Sequence, residues 1–138
     1  MEFWRRQRQP GGLFTYKGRV NRKKYITVCI ILFILSTLSI FLVKSTTNMF
    51  IGITFLLLNM AFFVLQALNF AKRLHDLDYS SWLAVLYVLL AVLIVGGYQL
   101  VIDIIRAFWE ICLAIKKGTE GPNQYGADPL QQEASEET

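Results

Sequence analysis

The feature that most constrains this chain is a run of 19 uncharged residues, 25–43, directly after a basic leader. A helix of ~20 apolar residues is long enough to cross the hydrocarbon core of a bilayer. A secretory signal peptide would have an apolar region of only about 7–15 residues, followed by a small-residue cleavage site. The run therefore predicts a membrane-spanning helix that is kept in the protein.

A second apolar stretch, residues 48–68, follows a short turn that contains Lys44. It is bounded on its other side by the densest mixed-charge cluster of the chain, residues 72–78, which reads "KRLHDLD". The second stretch predicts another span, and the charged cluster predicts a corner at the membrane surface.

The region after this corner has two interpretations. In the first, residues 82–95 and 98–115 form two further spans separated by a Gly-Gly turn. In the second, residues 82–102 form one span, followed by an amphipathic helix at the membrane interface. The first interpretation requires a short third span, because 14 residues of helix cover only ~21 Å of a ~30 Å core.

The distribution of basic residues favours four spans. The leader, the 72–78 corner and the pair Lys116 and Lys117 then share one side of the membrane, with twelve basic residues against Lys44 on the other. Cytoplasmic loops of membrane proteins carry such an excess of Lys and Arg. We therefore predict an all-α integral membrane protein, a four-helix transmembrane bundle with both termini cytoplasmic; the alternative is three spans plus an interfacial amphipathic helix.

This topology divides the chain into three parts. Residues 1–24 form a basic cytoplasmic leader, residues 25–117 the four-span domain, and residues 118–138 a cytoplasmic tail whose end we expect to be disordered. Charged residues make up 17% of the chain, against about 25% in soluble domains. Nucleic-acid binding would need a basic face with aromatics on a folded domain, whereas membrane orientation explains these bases more simply.

Three sequence stretches together resemble a known family. They are "YKGRVNRKKY" (16–25), "KRLHDLDYSSW" (72–82) and "GTEGPNQYGADPL" (118–130). In this order and spacing they resemble the domain-of-unknown-function 805 family of small bacterial inner-membrane proteins. The chain departs from the usual motifs at Lys72 and Gln124, where Arg is usual, and at Asp78, where Gly is common. The resemblance implies location and fold, and it supplies no activity.

In the four-span topology the three stretches meet at the cytoplasmic membrane surface. Arginine presents a planar fork that suits phosphate or carboxylate, and histidine titrates near neutral pH. One hypothesis is a surface that binds anionic lipid headgroups or a partner protein; the structural alternative is a clasp in which the bases pair with Asp76 and Asp128. The candidate residues are Arg19, Arg22, Lys72, Arg73, His75, Asp76, Asn123, Tyr125 and Asp128.

A second candidate site lies within the predicted spans. Asp103, Arg106 and Glu110 are spaced by three and four residues, which places them on one helix face. Ionisable groups in a membrane are functional candidates because isolated charge in lipid is costly. An ion path past Asn59 and Gln66 would make the chain a small oligomeric transporter or channel subunit. The structural alternative is mutual neutralisation of Arg106 by its two acids.

Enzyme chemistry finds little support in the sequence. The chain has no Walker loop, no HExxH motif and no nucleophile elbow, and His75 is its only histidine. We therefore expect no catalytic residue, metal or cofactor. The predicted function is that of a non-enzymatic, multi-pass protein of the bacterial inner membrane, whose partners are anionic headgroups, a second protein or further copies of the chain.

Overall fold

The computed structural model describes residues 14–92 and 99–136, and every regular element within these ranges is a helix. The Gly96-Gly97 turn of the four-span interpretation lies outside the described residues. The described helices are α1 (Arg22–Ser45), α2 (Met49–Asp76), α3 (Trp82–Val92), α4 (Gln99–Ile115) and α5 (Pro129–Glu136). The helical fold class is therefore confirmed, and α5 lies within the predicted tail at 118–138.

The first two helices are long and apolar enough to cross a membrane. α1 has 24 residues and α2 has 28, or ~36 Å and ~42 Å at 1.5 Å per residue. The side chain of Asn21 caps α1 by accepting from the N–H of Lys24 at 2.8 Å, and Asn48 caps α2 in the same way. α3 and α4 start close to the predicted third and fourth spans but have 11 and 17 described residues.

Two uncharged polar side chains in the apolar part of α2, Asn59 and Gln66, face α1. Asn59 donates to the Ser36 hydroxyl at 2.7 Å. Two helical turns later, Gln66 donates to the Cys29 sulfur at 3.3 Å. Polar groups surrounded by lipid need partners on neighbouring helices. The seven-residue spacing thus identifies the side of α2 that contacts α1.

Burial is concentrated at one end of the molecule. Large apolar side chains along most of α1 and α2 are exposed, whereas every residue of α2 from 69 to 76 is buried. An apolar cluster at this end joins α1, α2, α3 and α4. Its largest members are Tyr25, Phe70, Leu74 and Tyr87. The four helices are therefore packed most closely where the charged 72–78 stretch lies.

Candidate functional site

The charged corner begins as helix. α2 continues to Asp76, well beyond the predicted end of its membrane span at residue 68, because its last two turns are covered by the segments before α1 and after α4. The N–H of Leu77 then bonds the carbonyl of Arg73, and Asp78 adopts a left-handed φ of +60°. This conformation is uncommon for residues other than glycine, and Asp and Asn are among those that adopt it most readily.

The carboxylate of Asp76 lies between two arginines. Arg19 donates from Nε to Oδ1 at 3.0 Å, and Arg73 donates from Nη1 to Oδ2. The side chains of Arg19, Arg73 and Asp76 are 1%, 0% and 4% exposed. A buried carboxylate is tolerated when it is paired and hydrogen-bonded in this way. We call these three residues the clasp.

Arg73 connects three segments of the chain. Its Nε donates to the carbonyl of Leu113 at 3.0 Å, and its Nη1 donates to the carbonyl of Val20 at 3.3 Å. Its Nη2 donates to the carbonyl of Lys116. One guanidinium thereby fixes the end of α2 against the segment before α1 and the end of α4, satisfying carbonyls that a helix end leaves open.

Arg19 holds the tail in the same manner. It donates from Nη1 to the carbonyl of Gly121 and from Nη2 to that of Thr119, both at 2.6 Å. The N–H of Thr119 in turn donates to the carbonyl of Asp76 at 2.8 Å. At Gly118 a Cβ atom would lie 2.8 Å from Cγ of Asp76, so no side chain fits there. The tail motif is thus part of the clasp's surroundings.

His75 is held on both edges and on one face. Its Nδ1 lies 3.1 Å from the carbonyl of Gly18, which can only accept, so Nδ1 carries the proton. Its Nε2 is 2.5 Å from the hydroxyl of Ser81, and its ring stacks on Tyr125 with centroids 4.0 Å apart. Burial lowers the pKa of His75 below its usual value, which favours this neutral form.

The remaining tail residues of the candidate set bind backbone groups. Asn123 donates from its amide to the carbonyl of His75 at 2.8 Å. The clasp alternative from the sequence paired a base with Asp128 as well as with Asp76. In the structure the hydrogen-bond partners of Asp128 are backbone N–H groups instead. Oδ1 of Asp128 accepts from the N–H of Leu130 at 3.0 Å and thereby caps α5, and Oδ2 accepts from the N–H of Gly121 at 2.9 Å.

The two other bases of the candidate set have opposite environments. Lys72 is buried at the end of α2, and this burial lowers the pKa of its ammonium group. Arg22 is exposed at the start of α1. It lines a cavity of about 310 Å³ beside the clasp, together with Lys23 and Lys117, which are also exposed. We call these three bases the rim.

Asp103, Arg106 and Glu110 form a network through a residue that the sequence did not single out. Arg106 donates to the hydroxyl of Tyr87 at 2.8 Å, and this hydroxyl donates to Glu110 at 2.6 Å. Asp103 lies 3.7 Å from the guanidinium of Arg106. Arg106 therefore contacts one acid directly and reaches the other through Tyr87. Tyr87 is a single tyrosine in the apolar sequence of α3, and no spacing to other polar residues predicted that it would bridge Arg106 and Glu110.

Comparison with known proteins identifies one family. The family described as "Protein of unknown function (DUF805)" matches residues 13–127, a range that includes the clasp, the His75 corner and most of the tail motif. No curated protein and no solved structure matches the chain. Among residues 14–92 and 99–136, no group of three or more His, Cys, Asp or Glu side chains is arranged to hold a metal ion.

Proposed function

The chain belongs to the DUF805 family, a family of unknown function, and we propose that it is a non-enzymatic protein of the bacterial inner membrane whose rim binds anionic lipid headgroups. In this proposal four helices cross the membrane and both termini are cytoplasmic. The clasp holds the cytoplasmic helix ends together, and the rim presents charge at the level of the lipid phosphates.

The contacts of Arg73 support an even number of crossings. This residue bonds carbonyls before α1 and after α4, at Val20 and Lys116, so these two segments lie on the same side as the end of α2. Since the ends of α2 and α4 are on one side, the chain between them crosses the membrane an even number of times, which for α3 and α4 means zero or two. Two additional crossings agree with the distribution of basic residues.

The internal pairing of the clasp supports the rim as the binding surface. The guanidiniums of Arg19 and Arg73 are buried and donate to Asp76 and to carbonyl groups, so they present no donor to a ligand outside. The exposed bases beside them border the cavity of about 310 Å³. Carboxylates of Asp76, Glu120 and Asp128 also line this cavity, so the three exposed bases of the rim are the observation that carries the proposal.

The rim has the chemistry that an anionic headgroup requires. Basic residues close to an anionic leaflet contribute about 1 kcal/mol each to the interaction with it. Arg22 and Lys23 occupy the first turn of α1, where the N–H groups of a helix also favour a negative charge. The rim therefore fits a phosphodiester headgroup such as that of phosphatidylglycerol.

Lipid enrichment around the purified protein tests this proposal. The full chain is extracted from mixed phosphatidylglycerol–phosphatidylcholine bilayers, and the lipids retained by wild type, Arg22→Gln and Lys44→Gln are quantified. Each substitution removes one base, but Lys44 lies at the opposite end of α1. We expect about fivefold less phosphatidylglycerol retention for Arg22→Gln and wild-type retention for Lys44→Gln. Equal retention in all three would contradict headgroup binding and direct attention to a partner protein.

Cysteine accessibility in intact cells tests the topology separately. Single cysteines are placed at Thr46, Ser80 and Ser135 in a variant without Cys29 and Cys112, and are probed with a reagent that does not cross the membrane. Labelling at Thr46 alone is the result expected for four spans. Labelling at Ser135 as well would place the tail on the outer side and overturn the shared cytoplasmic surface.

The alternative function from the sequence is a small oligomeric transporter or channel subunit that uses Asp103, Arg106 and Glu110. It differs from the rim proposal in its residues and in its readout. Neutralising these three side chains together should abolish ion-coupled flux in reconstituted vesicles if the alternative holds, and should leave headgroup retention at the rim unchanged.

A further inference from the structure

A second cavity, of about 400 Å³, lies among α1, α2 and α4, away from the rim. Its lining combines apolar rings with polar side chains. Phe33 and Phe63 represent the apolar part, and the polar part, about half of the lining, includes Gln66 and the ionisable side chains of Asp103, Arg106 and Glu110. Cavities of roughly 300–1,000 Å³ that combine apolar walls with placed polar groups are typical of small-molecule sites.

Two buried polar atoms in this lining have no partner. The side-chain oxygen of Gln66 and the Nε of Arg106 make no hydrogen bond to any part of the chain that the structure describes. Gln66 is only 7% exposed, and its amide nitrogen is directed to the Cys29 sulfur at 3.3 Å. Buried polar groups are nearly always hydrogen-bonded. The open acceptor of Gln66 and the open donor of Arg106 belong to residues that line one cavity, and a ligand hydroxyl has both the donor and the acceptor that such atoms require.

The charges around the cavity favour a neutral ligand. Arg106 is paired with Asp103 at 3.7 Å, donates to Tyr87, and has its guanidinium 5.1 Å from the ring centre of Phe63. The hydroxyl of Tyr87 is in turn bound to Glu110. An ionised headgroup would have to displace one of these charged partners, whereas a hydroxyl fills the two open positions and leaves the network intact.

The depth of the site narrows the class of ligand. Gln66 precedes Arg73 by seven residues and Arg106 precedes Leu113 by seven, and Arg73 bonds the carbonyl of Leu113. Both open atoms are therefore on residues ~10 Å from the clasp, at 1.5 Å of rise per residue. The headgroup region of each leaflet is only about 5–7 Å thick. With the clasp at the membrane surface, the cavity lies below the lipid phosphates.

We propose that this cavity binds a neutral glycerolipid with a free hydroxyl, of the diacylglycerol type. The hydroxyl donates to the oxygen of Gln66 and accepts from Nε of Arg106, and the acyl chains follow the apolar lining beside Phe33 and Phe63. The inference uses the membrane placement proposed above and is independent of headgroup binding at the rim.

Photo-crosslinking in a defined bilayer tests this inference. The full chain is placed in phosphatidylcholine nanodiscs that contain a small fraction of diacylglycerol with a diazirine in one acyl chain. The crosslinked peptides are then mapped after illumination. Gln66→Leu removes the open acceptor at similar volume. Thr54→Val makes a comparable polar-to-apolar change at an exposed position of the same helix, and Ala107→Phe fills the cavity without removing a polar group.

The expected result is crosslinking confined to peptides of the cavity lining. The yield should fall about fivefold in Gln66→Leu, the loss of one net hydrogen bond, and should also fall in Ala107→Phe but not in Thr54→Val. Unlabelled diacylglycerol should compete, whereas phosphatidic acid with the same acyl chains should not. The inference is overturned if Gln66→Leu and Ala107→Phe, shown to be folded by their melting temperatures, crosslink like wild type. Equal competition by phosphatidic acid would overturn it as well.

Discussion

Two arginine–aspartate pairs with the same spacing have different surroundings in this molecule. Arg73 with Asp76 and Arg106 with Asp103 are each three residues apart within one helix. The first pair is 0% and 4% exposed, and its arginine donates to three carbonyls, one before α1 and two at the end of α4. The second is 21% and 49% exposed at 3.7 Å, and its Nε has no partner in the described residues. The first pair fastens helix ends, and the second leaves a donor open to a ligand.

The largest difference between the two pairs should appear when each aspartate is replaced by asparagine. Asp76→Asn leaves two buried guanidiniums without their carboxylate, and breaking a buried pair costs about 3–5 kcal/mol. Asp103→Asn removes one long contact at 3.7 Å and leaves the bond from Arg106 to the Tyr87 hydroxyl in place, so we expect a clearly smaller loss. The free energy of unfolding, from a reversible titration in mixed detergent micelles, measures both.

The same experiment has a result that would contradict the comparison. If Asp103→Asn destabilises the protein as much as Asp76→Asn, then the pair of Asp103 and Arg106 also holds the helices together. The cavity beside Arg106 would then lose its role as an open site, and both pairs would serve to hold helices together.

A somewhat smaller effect should follow when the tail is moved away from the clasp. Gly118→Ala places a methyl group against the carboxylate of Asp76, and such overpacking typically costs about 1–3 kcal/mol. Gly52→Ala is the matched control, because a Cβ there would meet only Thr46 at an ordinary 3.7 Å, and alanine favours helix over glycine. Thermal unfolding of the two variants should show a lower melting temperature for Gly118→Ala only. An unchanged melting temperature for Gly118→Ala would mean that the tail contributes little to the clasp.

These two regions were predictable from sequence to different degrees. The signature stretches and the positive-inside rule led to one surface that contains residues 19, 73 and 76, because charge and helix length are local properties. The partners of the arginines were not predictable, since they are backbone carbonyls that any residue supplies. The role of Tyr87 and the open atoms of Gln66 and Arg106 depend on how α2, α3 and α4 pack, which no spacing within one segment encodes.

The dependence of stability on pH should be smaller still and should come from the clasp end of α2. Burial lowers the pKa of His75 in the folded protein, while the unfolded chain titrates near ~6.5. The unfolded state therefore binds the extra proton first. This contribution to stability is complete above pH ~6.5 and is lost as the pH falls below that value toward the folded pKa.

His75→Gln removes this titration and serves as the control for it. The slope of the unfolding free energy between pH 7 and pH 5 should be flatter in His75→Gln than in wild type, although the variant is less stable overall because the stacking on Tyr125 is lost. Parallel slopes in the two proteins would show that another group causes the pH dependence.

The smallest effect on stability, with a measurable effect on binding, should come from the rim. Lys117 and Glu120 form an exposed ion pair at 2.6 Å, and exposed pairs of this kind contribute little to folding. Glu120→Gln should therefore leave the melting temperature unchanged. It should raise phosphatidylglycerol retention about two- to fivefold, because it releases one base for the headgroup and removes a negative charge beside it.

In the double variant Lys117→Gln/Glu120→Gln the local charge returns to that of wild type, and the gain should disappear. A gain that persists in the double variant would show that Lys117 does not contact the headgroup. The binding surface would then consist of Arg22 and Lys23 without Lys117.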